Sequence, residues 1–314
     1  MMGNLLEGKV ALVTGAGRGM GRTHALALAA EGAKVVINDL GGSVLGAGGD
    51  SSPADDVVSE IIAAGGEASA NYGDVTSVAD GTAMIEQAMD QFGGIDIVVN
   101  NAGNIRNQLF VKMSEEEWDS VIAVHLKGLY SVTRQAAQIF AKQGGGRIVN
   151  TGSEAGLGGY AAANYAAAKE GIVGFSRTLA LELGPYGVTT NAIRPRAATR
   201  MVGAVDMKRA FDLARDGKLP LPDFMFEMED MMDGPDSFAP DLVSPLVVFL
   251  CTDAASNING RDFIVGGGEI TLVSLPTKER SIFSDKPWTQ EQLQDLIPKT
   301  LSKGLINPGA LPDA

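Results

Sequence analysis

Lys9-Val10-Ala11-Leu12-Val13-Thr14-Gly15-Ala16-Gly17-Arg18-Gly19-Met20-Gly21 decides the fold. The run Lys9–Thr14 reads as a short buried strand, glycines follow it at once, and the next segment is rich in alanine and leucine and reads as a helix. Glycine is needed at such a junction because any Cβ would hold an anion away from the turn and from the free N–H groups and positive dipole end of the helix behind it. The run departs from a strict Gly-x-Gly-x-x-Gly because position 20 is Met, so the weight falls on its context. That context includes an acidic residue, Asp39, at the end of the second strand.

Outward from this junction, β-branched runs alternate with helical patterns. Strands are expected over Lys34–Asp39, Glu67–Tyr72, Ile95–Asn100, Gly146–Thr151, Val188–Ile193 and Asp262–Val265. Ser52-Pro53 reads as an N-cap with proline at the first helical position, and Gly65-Gly66 closes that helix. Ser114 and Glu117 form a capping box ahead of Trp118, opening a helix to about Lys142. Gly41 to Ser51 reads as a mobile loop. This order predicts an α/β fold: one Rossmann-like doubly wound domain over residues 1–270, with a parallel seven-stranded sheet and helices on both faces. Residues 271–314 form a C-terminal extension that is not an independent domain, with a capped helix expected over Gln290–Leu301 after Pro287-Trp288-Thr289.

The composition agrees. At 314 residues, 45% hydrophobic and 20% charged, the chain is ordinary globular material, which excludes disorder and fibrous repeats. No apolar run approaches the roughly 18 residues of a membrane span, and Met1 to Glu7 lacks the basic start and apolar stretch of a signal peptide. The sole cysteine, Cys251, cannot make an internal disulfide, so a reducing cytoplasm is expected. A formal charge of −13 argues against nucleic acid as a partner. No membrane partner is expected and no metal is required.

Residues 203–241 break the alternation. After Leu221 they carry Asp223, Glu227, Glu229, Asp230, Asp233, Asp236 and Asp241 without a basic residue, interleaved with Phe224, Met225, Phe226, Met228, Met231, Met232 and Phe238. Two readings stand: an amphipathic surface helix docked on the core, or a lid whose Met and Phe side chains meet an apolar substrate.

Tyr165-Ala166-Ala167-Ala168-Lys169 places a phenol and an ammonium on one face of a helix. A nearby Lys favours tyrosinate, and such a group can take a proton from an alcohol or return it to a reduced carbonyl. Ser153 follows a strand and precedes Gly156, where its hydroxyl could reach the substrate oxygen. Thr14-Gly15-x-x-x-Gly19-x-Gly21, Asn100-Asn101-Ala102-Gly103, Ser153 and Tyr165-x-x-x-Lys169, in this order and spacing, resemble the short-chain dehydrogenase/reductase family over residues 8 to about 270. The resemblance implies Tyr165 as acid/base, Ser153 orienting the substrate oxygen, and Lys169 holding the nicotinamide ribose while lowering the tyrosine pKa. It implies a dinucleotide against Gly15, Arg18, Gly19, Met20 and Gly21, with Asp39 and Leu40 at the adenosine ribose and Asp74-Val75 at the adenine. Asn101, Ala102 and Gly103 would back the cofactor, Gly103 clearing the nicotinamide side, and Thr199 would touch the carboxamide.

Two positions depart from the family's pattern. His125, in Val124-His125-Leu126-Lys127-Gly128, stands where the family usually has the asparagine of its proton relay; a neutral imidazole that titrates near pH 6.5 can serve there, or the histidine is simply buried and satisfied. Pro195-Arg196 replaces the usual Pro-Gly. Together with Asn38-Asp39-Leu40-Gly41-Gly42 these resemble one branch, the (3R)-hydroxyacyl-CoA dehydrogenase part of peroxisomal multifunctional enzyme type 2 and its bacterial relatives. The resemblance implies an NAD(H)-dependent oxidoreductase acting on a secondary alcohol or ketone of an apolar substrate, either a (3R)-hydroxyacyl-CoA or a steroid or terpenoid alcohol. It also implies a homotetramer built on the helices at about 115–141 and 164–183. Asp39 favours NAD, because its charge repels a 2′-phosphate. Arg18 supports the alternative, an NADP-dependent carbonyl reductase. A non-catalytic nucleotide-binding regulator would have lost Tyr165 or Lys169. The acidic stretch 223–241 weighs against a CoA substrate if it covers the entrance.

Overall fold

The computed structural model describes residues 4–43, 45, 48–201, 208–222, 224–226 and 235–309. Much of the expected lid, residues 203–207, 223 and 227–234, lies outside them. The chain divides into two units, the described residues of Met1–Asp206 with Pro222–Val273, and those of Met207–Leu221 with Ser274–Ala314.

The first unit holds the sheet. Its strands are β1 (Val10–Thr14), β2 (Lys34–Asn38), β3 (Ala68–Asn71), β4 (Ile97–Asn100), β5 (Gly146–Thr151), β6 (Val188–Pro195), β7 (Asp262–Gly266) and β8 (Glu269–Leu272), in the order β3-β2-β1-β4-β5-β6-β7-β8. All neighbours are parallel except β7 and β8. The seven-stranded parallel sheet expected from the sequence is thus corrected to eight strands with an antiparallel edge. Gly267 and Gly268 both take positive φ, 56° and 85°, and make the two-residue turn that sends β8 back along β7. Every residue of β8 is exposed, so no burial pattern announces it.

Helices α1 (Gly19–Ala30), α2 (Ser52–Ala63), α3 (Val78–Phe92), α4 (Glu115–Ile122), α5 (Gly128–Gln143), α6 (Ala163–Leu183) and α8 (Ser244–Leu250) belong to this unit. The strands read as continuous apolar runs because they are buried on both faces. Ala11, Val13, Val35 and Ile37 pack with Leu28, Val57 and Val247 in one cluster. Leu12, Val36 and Val98 pack with Met84, Val132 and Phe140 in the other. Burial of each valine, leucine, isoleucine, methionine or phenylalanine among them contributes about 1.5–3 kcal/mol.

Strand order reverses between β1, which continues through β2 to β3, and β4, which continues to β5 and beyond. The crevice at the carboxyl ends of strands flanking such a switch point is where open α/β sheets take their ligands. Buried amides tie the neighbouring helices to the sheet there. Asn100 Nδ2 donates to Thr133 Oγ1 of α5 at 2.9 Å and to Asn150 Oδ1 of β5 at 2.8 Å, and Asn150 Nδ2 donates to Ser176 Oγ of α6 at 2.8 Å.

Local details differ from the sequence reading at two helices. The N-cap of α2 is Ser51 rather than Ser52, and Ser52 N–H instead donates to Asp50 Oδ1. The helix opened by the Ser114–Glu117 capping box is interrupted by a π-helical stretch over Ala123–Lys127. In the second unit, α7 (Lys208–Arg215) carries an exposed Asp212–Arg215 pair, and α9 (Gln290–Lys299) opens with a capping box of Thr289 and Gln292. Arg280 there donates to the carbonyls of Thr300, Leu301 and Lys303.

Candidate active site

Thr14 joins two strand ends. Its Oγ1 accepts from the N–H of Asn101 and of Ala102 at 3.0 and 3.1 Å, and Asn101 Nδ2 donates back to the carbonyls of Thr14 and Gly15, both at 3.1 Å. The glycine turn is pulled so close to β4 that a Cβ on Gly15 would lie 2.8 Å from Ala102 Cα, and one on Gly21 would lie 2.1 Å from Gly15 O. Helix α1 begins here with no side-chain cap and no acidic residue in its first turn. Its first N–H groups are therefore open to an anion. A cleft of about 350 Å³ lies in front, lined by Gly15, Arg18, Gly19 and Met20 on this side. Asp39, Leu40, Asp74 and Val75 line its far end, and Asn101, Ala102, Gly103 and Thr199 its floor and near wall. Of the dinucleotide contacts expected from the sequence, Gly21 alone among the turn residues is not in the lining; it serves the approach of helix to strand.

Asp39 is fixed by the backbone. Its Oδ2 accepts from Gly17 N–H and its Oδ1 from Gly41 N–H, both at 2.7 Å. Gly17, which sequence reasoning passed over, has to be glycine for this contact, since a Cβ would sit 2.8 Å from Asp39 Oδ2. Each carboxylate oxygen keeps a second lone pair for a ribose hydroxyl. The cations nearby are engaged: Arg18 lies 3.9 Å from Asp50, and Arg22 pairs with Glu60. Beside Asp39 in the lining, Asp74 Oδ1 accepts from Thr76 N–H at 2.8 Å, and Val75 O accepts from Ser131.

Outside the residues that line this cleft, Ser153, Tyr165 and Lys169 stand together beside His125, whose ring adjoins Gly103 of the lining. Asn164 heads α6, its Nδ2 donating to the carbonyls of Arg106 and Glu117 and its Oδ1 accepting Tyr165 N–H at 2.8 Å. It clamps the turn that carries the tyrosine, and its place before Tyr165 at a helix start was the only sequence signal for it. Burial pushes the Tyr165 phenol up to about 12, while its hydrogen bond with Ser153 pulls the other way. Lys169, one helical turn on, is buried, and burial brings it down to about 7. Its Nζ donates to Thr151 O at 2.6 Å and lies 5.3 Å from the Tyr165 ring centroid. The group that holds the phenol down in this arrangement is Ser153; the ammonium is directed at the end of β5.

His125 sits in the π-helical stretch, a place where an inserted residue re-aims a side chain. Its ring meets Tyr165 edge-on, with centroids 5.3 Å apart and planes at 89°. Nε2 lies 2.8 Å from Asn104 O and 3.3 Å from Asn104 N, and the shorter contact puts the proton on Nε2. Burial first, then the Lys169 charge, brings its pKa to about 3. The expectation of titration near pH 6.5 is corrected: the imidazole is neutral at physiological pH. A Cβ on Gly103 would stand 2.7 Å from His125 Cε1, so this glycine makes room for the histidine rather than only for a ligand.

Residues beneath Ser153 were not legible as site residues. Wholly buried Arg194 donates from Nη1 to Ser153 O at 2.7 Å, from Nε to Asp262 Oδ2 at 2.7 Å and from Nη2 to Glu170 Oε2 at 2.8 Å. Arg196 grips Glu154 through Nε and Nη2 at 2.7 and 2.8 Å. The unusual Pro195-Arg196 thus has a partner in the residue next to Ser153. Among the described residues no group of three His, Cys, Asp or Glu is placed to hold a metal.

An open helix N-terminus behind a glycine turn and a carboxylate at the end of β2 fit a nicotinamide dinucleotide in the cleft, with the phenol, hydroxyl and ammonium grouped beyond its lining on the side of Gly103 and His125. The chain belongs to the short-chain dehydrogenase family, whose model matches residues 9–209. Members of this family are oxidoreductases that use a nicotinamide cofactor. Hydroxyacyl-CoA dehydrogenase ChsB1 of Mycobacterium tuberculosis is 44% identical over 296 residues, 89% of this chain and 84% of that one. Peroxisomal multifunctional enzyme type 2 of Mus musculus is 41% identical over 297 residues, 92% of this chain, which spans 36% of that longer protein. A short chain dehydrogenase from Mycobacterium avium matches in crystal structure with a TM-score of 0.79 at 40% identity, covering 97% of this chain and 98% of that one. Family and branch are those that the sequence motifs resemble. Among the described residues no helix is long and apolar enough to cross a membrane.

Proposed function

We propose that this protein is an NAD-dependent dehydrogenase that interconverts a secondary alcohol and a ketone on an apolar substrate. A (3R)-hydroxyacyl-CoA is the leading substrate class and a steroid or terpenoid alcohol the next; the printed name of the relative hydroxyacyl-CoA dehydrogenase ChsB1 favours the acyl-CoA. The observation that carries the reading is the grouping of Ser153, Tyr165 and Lys169, joined through His125 to Gly103 in the lining of the cleft that also holds Asp39. In oxidation, Ser153 Oγ orients the alcohol oxygen and Tyr165 Oη takes its proton. The nicotinamide ring, when bound, supplies the hydride acceptor and a positive charge that favours tyrosinate. Lys169, anchored on Thr151 O, is in reach of a nicotinamide ribose, and burial brings its ammonium down to about 7. Neutral His125 supports the edge of the tyrosine ring and takes no proton itself at physiological pH.

NAD is the proposed cofactor because Asp39 carries its charge where a 2′-phosphate would stand, and Arg18 and Arg22 are each paired with an acid. The protein is proposed to work in the cytoplasm as a homotetramer, with the helical stretch at about 115–141 (α4 through α5) and that at 164–183 (α6) as the assembling elements. The test is a screen with NAD of 3-hydroxyacyl-CoAs of several chain lengths against hydroxysteroids and terpene alcohols. Oxidation of a (3R)-hydroxyacyl-CoA is the expected result, and turnover of no secondary alcohol would overturn the reading.

A further inference from the structure

The Ser153 hydroxyl is useful only where its loop is held, and that loop is short. It leaves β5 at Thr151 and enters one turn of 3₁₀ helix at Glu154–Leu157, with Ser153 Oγ accepting Ala155 N–H at 3.2 Å. Strand β6 runs parallel to β5 and presents the Arg194 guanidinium to this loop, and Arg196, one residue past the strand's end, adds a second. Arg194 holds the Ser153 carbonyl. Arg196 holds the next residue more rigidly: its fork meets both oxygens of Glu154, and its remaining Nη1 reaches Glu269 Oε2 on β8 at 2.9 Å. A bidentate fork fixes orientation as well as distance, which a lysine or a single bond does not.

Three features mark this bridge as more than surface decoration. The Glu154 and Arg196 side chains are only 11% and 15% exposed, so both charges are largely out of water and each depends on the other. Arg196 occupies a position where the family usually has glycine, so a bulky charged group has been admitted where none is needed for the fold. Finally, β8 is the strand added beyond the parallel sheet, and its first residue, Glu269, completes the bridge.

We infer that the Glu154–Arg196–Glu269 bridge is a positioning device for Ser153, anchoring the serine's loop to the β7–β8 hairpin so that its hydroxyl stays in line with Tyr165. This rests on the proposed role of Ser153 and Tyr165 in alcohol oxidation. Arg196 acts through Glu154 and is not itself a catalytic residue. The groups facing the Tyr165 phenol and ring are Ser153 from the loop, Lys169 from α6 and His125 from the π-helical stretch, and the first of these is the one the bridge controls.

The test compares Arg196→Gly, Glu154→Gln, Ser153→Ala and the Arg196→Gly/Ser153→Ala double variant, with NAD and (3R)-hydroxyhexanoyl-CoA or a hydroxysteroid, whichever the wild type oxidises. Arg196→Gly should lower kcat on the order of ten- to a hundredfold while the KM for NAD stays within about twofold. The acid limb of the pH–rate profile should move to higher pH, as in Ser153→Ala, because losing the serine's hydrogen bond lets the phenol pKa rise. The double variant should be no slower than Ser153→Ala alone. Glu154→Gln attacks the bridge from its other end and keeps one acceptor, so it should show a smaller fall in kcat with the same direction of shift; it decides the matter should Arg196→Gly fold poorly. Wild-type kcat and acid limb in Glu154→Gln together with a folded Arg196→Gly of full activity would overturn the inference, as would a double variant slower than Ser153→Ala by the full Arg196→Gly factor. Failure of the functional reading itself would look different, with Ser153→Ala or Tyr165→Phe turning over at the wild-type rate.

Discussion

Gly103→Ala isolates one close approach at the centre of the site. The added methyl carbon would stand 2.7 Å from His125 Cε1, with Nε2 and Nδ1 at 3.4 and 3.5 Å. The carbon contact is too short by about 0.7 Å or more for ordinary van der Waals packing. His125 cannot simply retreat, because its Nε2 is bound to Asn104 O at 2.8 Å and its edge abuts Tyr165. Overpacking of this kind costs about 1–3 kcal/mol, and in a domain of this size each kcal/mol lowers Tm by about 2–4 °C. His125→Asn, which shortens the side chain, should by itself cost about 1–3 kcal/mol through the lost hydrogen bond and the space left behind. In the double variant the clash no longer exists, so its stability should match His125→Asn alone, giving a coupling of about 1–3 kcal/mol. Urea unfolding of the four proteins reads this directly. Additive losses, within about 0.5 kcal/mol, would refute the packing argument. A Gly103→Ala protein as stable as wild type but weaker in NAD binding would show instead that the glycine serves the cofactor alone.

Three further outcomes follow from the same geometry. Asp39→Asn should weaken NADH binding on the order of ten- to a hundredfold by removing a charge-assisted acceptor and should narrow the gap to NADPH; fluorescence titration of both cofactors checks it, and tighter NADPH binding by the wild type would reverse the cofactor assignment. Burial brings His24 and His125 down to about 3 from 6.5; each is neutral when folded and takes up a proton on unfolding below about pH 6.5, so each lowers stability by ~1.4 kcal/mol per unit as pH falls toward 3. Measured as urea midpoints at about pH 7 and pH 5, His24→Gln should therefore lose about 2 kcal/mol less than the wild type over that range, and an unchanged difference would show that His24 carries its proton in the folded state. Arg194→Met should cost about 3–5 kcal/mol by leaving the buried Asp262 carboxylate without its cation, and an unaltered melting temperature would contradict the buried network.

The strands buried on both faces were readable because burial writes itself as runs such as Val35-Val36-Ile37 and Ile97-Val98-Val99, and their observed ends fall within two residues of the expected ones. The motif residues of the cleft were readable for a related reason: a turn that must be glycine, or a phenol and ammonium one helical turn apart, are local patterns. What escaped depends on distant contacts. Strand β8 is exposed throughout and owes its existence to two glycines of positive φ. The π-helical stretch at Ala123–Lys127 is set by how α4 and α5 pack, which no spacing in Ser114–Lys142 records. Arg194 and Arg196 read as ordinary strand-end cations until Glu170, Asp262, Glu154 and Glu269 are brought to them from elsewhere in the chain. Likewise the pKa of His125 follows from burial rather than residue type.

In the proposed NAD-linked oxidation of a secondary alcohol, Tyr165 moves the proton. The most direct measurement is the rate at which wild type and Tyr165→Phe form reduced cofactor from a (3R)-hydroxyacyl-CoA and NAD, with NAD affinity determined on the same preparations. Tyr165→Phe should be slower by at least about a hundredfold with NAD binding essentially unchanged. Tyr165→Phe turning over at the wild-type rate would contradict it.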